Sequence, residues 1–135
     1  MPQPTHVVTC FLESDGKILI LLRSDKVGTY RGKWGGVAGF LESTPAAQAY
    51  TEIREETSLQ PSDVTLIKTG KPLTIEDKEL DRQWVVHPFL FHVINASKII
   101  IDWEHRAMKW INPAEIDNFD TVPGLKEAYL KVLSY

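Results

Sequence analysis

The segment from Thr44 to Ser58 constrains this chain most, because its helical period and its charges pull in different directions. Ser43 or Thr44 can cap a helix there, and Pro45 suits the first helical position, where no backbone N–H is needed. At about 100° per residue, Ala46, Ala49, Tyr50, Ile53 and Thr57 gather into one arc fit for burial. Glu52, Glu55 and Glu56 gather in a second arc beside it, while Arg54 points elsewhere. Like charges three or four residues apart oppose a helix by about 0.2–0.5 kcal/mol per pair. No Lys or Arg at that spacing on the same arc relieves Glu52 or Glu56. The arc is either a solvated acidic face or a place where carboxylates converge on a cation.

Directly before this helix, Trp34-Gly35-Gly36-Val37-Ala38-Gly39 puts three glycines in six residues. Such a stretch lets the backbone approach another group closely or take unusual dihedrals. It can bring backbone carbonyls near the carboxylates. Carboxylates with a carbonyl form a hard oxygen site suited to Mg²⁺ or Mn²⁺.

The rest of the chain supplies the sheet. His6 to Leu12 and Lys17 to Arg23 read as strands joined by a turn at Ser14-Asp15-Gly16. Ser24 to Lys33 reads as a loop. After the helix, Gln60 to Asp63 forms an exit and Val64 to Lys68 a strand. Thr69 to Arg82 is long, charged and irregular, the pattern of a mobile loop. Gln83 to Ile94 is the longest apolar run, and Pro88 within it points to an edge or a bulge. Lys98 to Trp103 and Met108 to Ile111 read as short strands. Asn112-Pro113 opens a short helix to about Phe119, and Thr121-Val122-Pro123 opens a last one to about Leu133. This is an α+β pattern, a mixed sheet with helices packed against it. With no repeat or linker, residues 1–135 read as one domain.

Composition narrows the function. The formal net charge is −3 and no basic block stands out, so a nucleic-acid polymer is a poor partner. A polyanionic small molecule would need a local positive charge, such as a metal ion. No apolar run approaches the roughly 18 residues of a membrane span, and Met1 to His6 lacks the marks of a signal peptide. The single cysteine, Cys10, excludes an internal disulfide and reads as a buried hydrophobe rather than a catalyst. A cytoplasmic setting is expected, with no membrane partner and a homodimer left open.

Gly39, followed by Thr51-Glu52-Ile53-Arg54-Glu55-Glu56-Thr57-Ser58-Leu59, resembles a Nudix box. The family pattern is G-x5-E-x7-R-E-U-x-E-E-x-G-U, with U a bulky aliphatic. Trp34, Thr44-Pro45, Trp110, Pro113 and Glu115 are also similar to that family, in its order of elements. The resemblance implies an α/β/α sandwich with a central catalytic helix and C-terminal helices. It implies Mg²⁺- or Mn²⁺-dependent hydrolysis of a phosphoanhydride bond in a nucleoside diphosphate linked to another moiety, such as ADP-ribose, or in a nucleoside triphosphate. The metal ligands implied are the Ala38 carbonyl, Glu52, Glu55 and Glu56. Glu52 is one candidate base, and Glu104 is a ligand or base that also reads as a surface glutamate. Phosphate contacts are expected from Arg23, Arg31, Lys33 or Arg82, each also readable as a surface charge. Tyr30, Trp84 and Trp103 are aromatic candidates for stacking a base, with core packing favoured for Trp84 and Trp34. His87 and His92 read as core histidines, and His105 stays open.

The box departs from the pattern at three places. Ser43 stands where its first glutamate belongs, with Glu42 adjacent. Thr51 replaces the arginine that orients the next glutamate, and Ser58 replaces the glycine at the helix exit. Glu52 is therefore less well held unless another cation, Arg23 or Arg82, reaches it. The alternatives are a non-hydrolytic nucleotide-binding or regulatory domain, and a structural domain with no ligand.

Overall fold

The computed structural model describes residues 3–133. Met1 and Pro2, from the polar N-terminal segment, and Ser134 and Tyr135 lie outside it. Strands β1 (Pro4–Ser14) and β2 (Lys17–Arg23) form the expected hairpin. Its turn residues Asp15 and Gly16 have φ of 52° and 76°, as a tight two-residue hairpin requires. Two short strands follow, β3 (Trp34–Gly35) and β4 (Val37–Phe40), and then helix α1 (Pro45–Thr57). The chain continues through β5 (Val64–Thr69), β6 (Leu73–Asp77), β7 (Arg82–Val93) and β8 (His105–Ile111) to helix α2 (Leu125–Leu133).

These strands form one mixed sheet in the order β3-β2-β1-β7-β5, with β4 also on β1, β6 on β7 and β8 on β2. β1 and β7 run parallel from Pro4 to Glu13, and the other pairs are antiparallel. Strand alternation sorts the apolar residues onto two faces. Val8, Cys10, Leu12, Phe89 and Phe91 pack with Ala49 and Ile53 of α1. Phe11, Ile18, Ile20, Trp84 and Val86 pack with Leu125, Ala128 and Val132 of α2. The result is the expected α+β sandwich, a sheet between helices. Each fully buried Phe or Leu contributes about 1.5–3 kcal/mol.

Four expectations need correction. Thr69 to Arg82 is not one irregular loop: Leu73 to Asp77 pairs with β7, and Leu73 and Ile75 turn toward the α2-side core. Its many charged residues hide that alternation in the sequence. Pro88 lies on neither an edge nor a recorded bulge of its own strand: β7 sits between β1 and β5. The proline is tolerated because β5 reaches only to Phe89 and β6 begins opposite Val86, so the ladder is open between them. The Gly70 N–H meets the Pro88 carbonyl there at 2.9 Å. A strand residue's N–H and C=O face the same side, so the missing N–H of Pro88 falls in the same gap.

Lys98 to Trp103 is not a strand. A single 3-10 turn, Ala96–Lys98, is followed by irregular chain. Ile99 packs in the α1-side core, and the Ile100 N–H caps the Thr57 carbonyl at 2.9 Å instead of joining a ladder. On α1, Ala46 is exposed while Gln48, Glu52 and Glu56 are buried. The buried stripe is thus rotated toward the acidic arc, and Glu55 alone of the three glutamates stays exposed.

Candidate active site

β1 pairs with β2 only beside their turn, at Glu13 and Ser14, and takes β4 as its neighbour from Val7 to Cys10. A cavity of about 620 Å³ is lined by Val7 and Thr9 of β1 and Ala38 and Gly39 of β4. Glu52 of α1, Arg23 at the end of β2, Tyr30 in the following loop, and Glu104 ahead of β8 also line it. Arg82, Trp84 and Val86 of β7 line it as well.

Close packing of β4 on α1 sets the acidic side. A Cβ added to Gly39 would lie 2.2 Å from Glu52 Cδ, so only glycine fits with Glu52 in this position. Close approach, rather than left-handed backbone, explains that glycine. Glu52 Oε2 accepts a hydrogen bond from Gln48 Nε2 at 2.8 Å. Gln48 Oε1 in turn accepts the Glu42 N–H at 3.0 Å and the Ser43 hydroxyl at 3.3 Å.

Glu56 is 1% exposed. Its Oε1 accepts the Ala38 N–H at 3.4 Å and lies 3.7 Å from His105 Nε2. Its Oε2 is buried with no hydrogen-bond partner. Since Ala38 directs its N–H at Glu56, the Ala38 carbonyl also faces away from β1 and toward α1. Behind Glu56, His105 Nδ1 is 3.0 Å from Asp102 Oδ1, and the His105 ring is almost fully buried.

Burial dominates the electrostatics. It pushes the Glu56 carboxyl well above the usual carboxylate range, and the adjacent Glu52 adds to the rise. Burial also raises Glu52, and raises Glu104 with help from Asp102. It lowers Arg23, against the pull of Glu104 and Glu56, and lowers His105 against Asp102. Adjacent buried carboxyls disfavour each other's charge, and a nearby cation would reverse that.

The structure therefore brings Ala38, Glu52, Glu104, Arg23, Tyr30 and Arg82 to one cavity, with Glu56 buried behind. It does not bring Glu55 or Arg31 there: both are exposed, and Arg31 Nε donates to the Val27 carbonyl at 2.7 Å. Lys33 is taken up by Asp120 at 2.9 Å. The Arg23 guanidinium donates to the Thr29 carbonyl at 3.0 Å, and that of Arg82 lies 5.2 Å above the Trp84 ring. Neither is bonded to Glu52, so neither supplies the compensation that the sequence leaves open, and Gln48 makes that contact instead. A glutamine one helical turn before a key carboxylate was the signal that could have shown it. Trp103, 62% exposed, stands at the lining, while Trp84 is buried yet lines the cavity as well. His87 and His92 are only half-buried, the first 2.9 Å from His6 and the second 3.0 Å from Glu13, so neither is a core residue. Cys10 is buried, and burial pushes its thiol up, away from the reactive thiolate.

Among the described residues, no group of three or more His, Cys, Asp or Glu side chains is placed to hold a metal ion by itself. An open site fits better. Mg²⁺ commonly takes one or two carboxylates and leaves the rest of its coordination to water and substrate phosphate. The unpartnered Glu56 Oε2, the neighbouring Glu52 and the inward-turned Ala38 carbonyl are hard oxygen donors of that kind.

The model of the NUDIX domain matches residues 2–132. The chain belongs to the NUDIX family. This NUDIX domain is similar in fold to the MutT protein of Methanosarcina mazei Go1, at 18% identity and TM-score 0.79, over 97% of this chain and 94% of that one. It is similar to the E. coli dihydroneopterin triphosphate pyrophosphohydrolase, at 19% identity and TM-score 0.74, over 96% and 94%. A C. elegans Ap4A hydrolase matches at 16% identity and TM-score 0.72, over 95% and 93%. At these identities the likeness is one of fold. No curated protein matches the NUDIX domain by sequence, and none of its described helices is long and apolar enough to cross a membrane.

Proposed function

We propose that this NUDIX domain is a metal-dependent pyrophosphohydrolase that cuts a phosphoanhydride bond in a nucleoside diphosphate derivative or nucleoside triphosphate. The observation that carries the reading is Glu56: a buried carboxylate with a free oxygen, beside Glu52 at a cavity that also holds Arg23. Leaving such a group unpaired costs roughly 1–3 kcal/mol or more, a cost that a functional cation would offset. Glu52, Glu56 and the Ala38 carbonyl would hold Mg²⁺ or Mn²⁺. When bound, the metal polarises a phosphoryl oxygen and lowers the pKa of a water.

The remaining work belongs to the chain. Water attacks phosphorus, the bridging P–O bond breaks with its electron pair leaving on the departing phosphate, and a carboxylate takes the water's proton; Glu52, whose pKa burial raises, suits that role. Glu104 is the second candidate, at the same cavity. Arg23 and Arg82 would contact the phosphates as charge develops on them. Tyr30 and Trp84 give the organic group an apolar wall to pack on.

The test is a panel of ADP-ribose, nucleoside triphosphates, Ap4A and dihydroneopterin triphosphate with Mg²⁺, read by phosphate, pyrophosphate or nucleotide release. EDTA should abolish activity and Mg²⁺ or Mn²⁺ restore it. Turnover undiminished by exhaustive chelation would refute the mechanism. The changes at Ser43 and Thr51 favour the second reading, a nucleotide-binding domain without turnover. Saturable nucleotide binding with no product from any substrate would establish it.

A further inference from the structure

Gln48 is 5% exposed, on α1, one turn before Glu52. Its amide is engaged at both ends. The oxygen takes the Glu42 N–H and the Ser43 hydroxyl, and the nitrogen donates to Glu52 Oε2. Chemistry fixes this orientation. A backbone N–H can only donate, so the amide oxygen must face Glu42 and the NH₂ must face the carboxylate.

Apart from the neighbouring Glu56 carboxyl, the other groups that could orient Glu52 are committed elsewhere. The Thr51 hydroxyl donates to the Ala47 carbonyl at 3.1 Å. Arg23 is bonded to Thr29, and Arg82 lies over Trp84. Ser43 and Thr51 are the two helix-side positions where the box departs from its pattern. One of them, Ser43, is bonded to Gln48 itself.

We propose that Gln48 is the positioning residue for Glu52: its amide NH₂ fixes the carboxylate at the cavity, and its amide oxygen ties that carboxylate to the Glu42–Ser43 loop. This rests on the reading of Glu52 as a functional carboxylate. It also accounts for the loss of the arginine at 51. A neutral donor held from below by a backbone N–H orients the carboxylate without adding a cation beside it. The consequence is mechanical as well: a shift of the Glu42–Ser43 loop moves Glu52 through a single side chain.

Three variants of similar length separate donation from packing. Gln48→Met fills the volume with no hydrogen bond. Gln48→Glu keeps the acceptor for the Glu42 N–H and removes the donor to Glu52. Gln48→Lys keeps a donor and removes the acceptor. Each is measured for kcat and KM with Mg²⁺, for Mn²⁺ affinity without substrate, and for Tm in EDTA. Loss of a partner that orients a ligating group typically costs about 10–100-fold in metal affinity or activity. Gln48→Met and Gln48→Glu should therefore lose about 10–100-fold in kcat, with KM within about 3-fold, and about 10-fold in Mn²⁺ affinity. Gln48→Lys, which loses the anchor to the Glu42 N–H and sets a cation beside Glu52, should keep more kcat than Gln48→Met but lose Mn²⁺ affinity. Either of the first two, folded by Tm, is sufficient for the comparison. Parent-like kcat in either folded variant overturns the proposal, since Gln48 would then serve only packing. If the parent protein shows no metal-dependent turnover, the enzyme reading fails, and the Mn²⁺ affinities alone decide the role of Gln48.

Discussion

Gly39 and Glu52 compete for one small volume: a Cβ on Gly39 would stand 2.2 Å from the Glu52 carboxyl carbon and 2.3 Å from its Oε1. The Glu52 carboxyl therefore rests over β4 in this position only because residue 39 has no side chain. Gly39→Ala must either push strand and helix apart or turn Glu52 out of its bond to Gln48. Because the clash is with the movable end of Glu52, the loss of stability should stay within about 1 kcal/mol. A small misplacement of a reacting group costs on the order of 100-fold in rate. Urea denaturation and steady-state kinetics should show both losses. Full turnover in this variant would mean that Glu52 works from another position.

Glu56 gives a pH-dependent prediction for the metal-free protein. Its folded pKa lies above the ordinary value of 4.5, because the carboxyl is buried next to Glu52. The native state then binds more protons than the unfolded state between those values. This contribution is present below about pH 4.5 and is lost as the pH rises through the folded pKa. Glu52 and Glu104 act in the same direction, while His105, lowered by burial, acts in the opposite one. Comparison with Glu56→Gln isolates the one group. In EDTA, the Tm of Glu56→Gln minus that of the parent should grow from pH 4.5 toward pH 8. Mg²⁺ should raise the parent's Tm and leave the variant's unchanged, with turnover reduced by about 100-fold or more. A constant Tm difference across this range would remove the buried-charge argument.

Ser58 ends α1 in the left-handed region, at φ 67°. The box pattern has glycine there, and the structure shows why: the Ser58 N–H closes the helix on the Arg54 carbonyl at 3.0 Å. A residue with a Cβ pays roughly 1 kcal/mol or more to hold that conformation. Ser58→Gly should raise stability by about 0.5–1 kcal/mol in urea titration, discounted for the greater freedom of the unfolded chain. Turnover should not change, because Ser58 does not line the cavity. A loss of stability would show that the weak contact of its hydroxyl with the Ile100 carbonyl, at 3.4 Å, matters more than the backbone.

The sequence exposed those parts of the fold whose pattern is local. Pro45, Thr44 and the apolar period located α1 to within a residue of its ends, and Ser14-Asp15-Gly16 located the hairpin. The Leu73–Asp77 strand escaped because its two inward residues are separated by polar ones and surrounded by charge. Pro88 misled because a proline's tolerance depends on where two other strands stop, which is a tertiary fact. At the site, spacing alone placed Glu52 and Glu56 together, and could not distinguish the exposed Glu55 from the buried Glu56. Gln48 was passed over because glutamine on a helix is ordinary; its role comes from the Glu42 N–H, brought to it by the fold.

Tyr30 closes the far side of the cavity. Its hydroxyl donates to Asp77 Oδ2 at 2.5 Å and accepts the indole N–H of Trp84 at 2.9 Å. Burial and the bond to Asp77 push its pKa up to about 12, so it stays a neutral donor at any working pH. The contact joins the loop after β2 to the β6–β7 hairpin, and Tyr30 holds a φ of 52° to make it. Tyr30→Phe keeps the ring and leaves the Trp84 N–H, in a residue 8% exposed, without its acceptor. That should cost roughly 1–3 kcal/mol in stability. It should also free the wall on which the organic part of a substrate would pack, raising KM about 10-fold with kcat within about 3-fold, the signature of lost uniform binding. Asp77→Asn is the control. It keeps an acceptor for the phenol and leaves the bond to Trp84 intact, so its KM should stay near the parent's. If Tyr30→Phe lowers kcat instead of raising KM, this side of the cavity bears on the reacting phosphates rather than on the group attached to them.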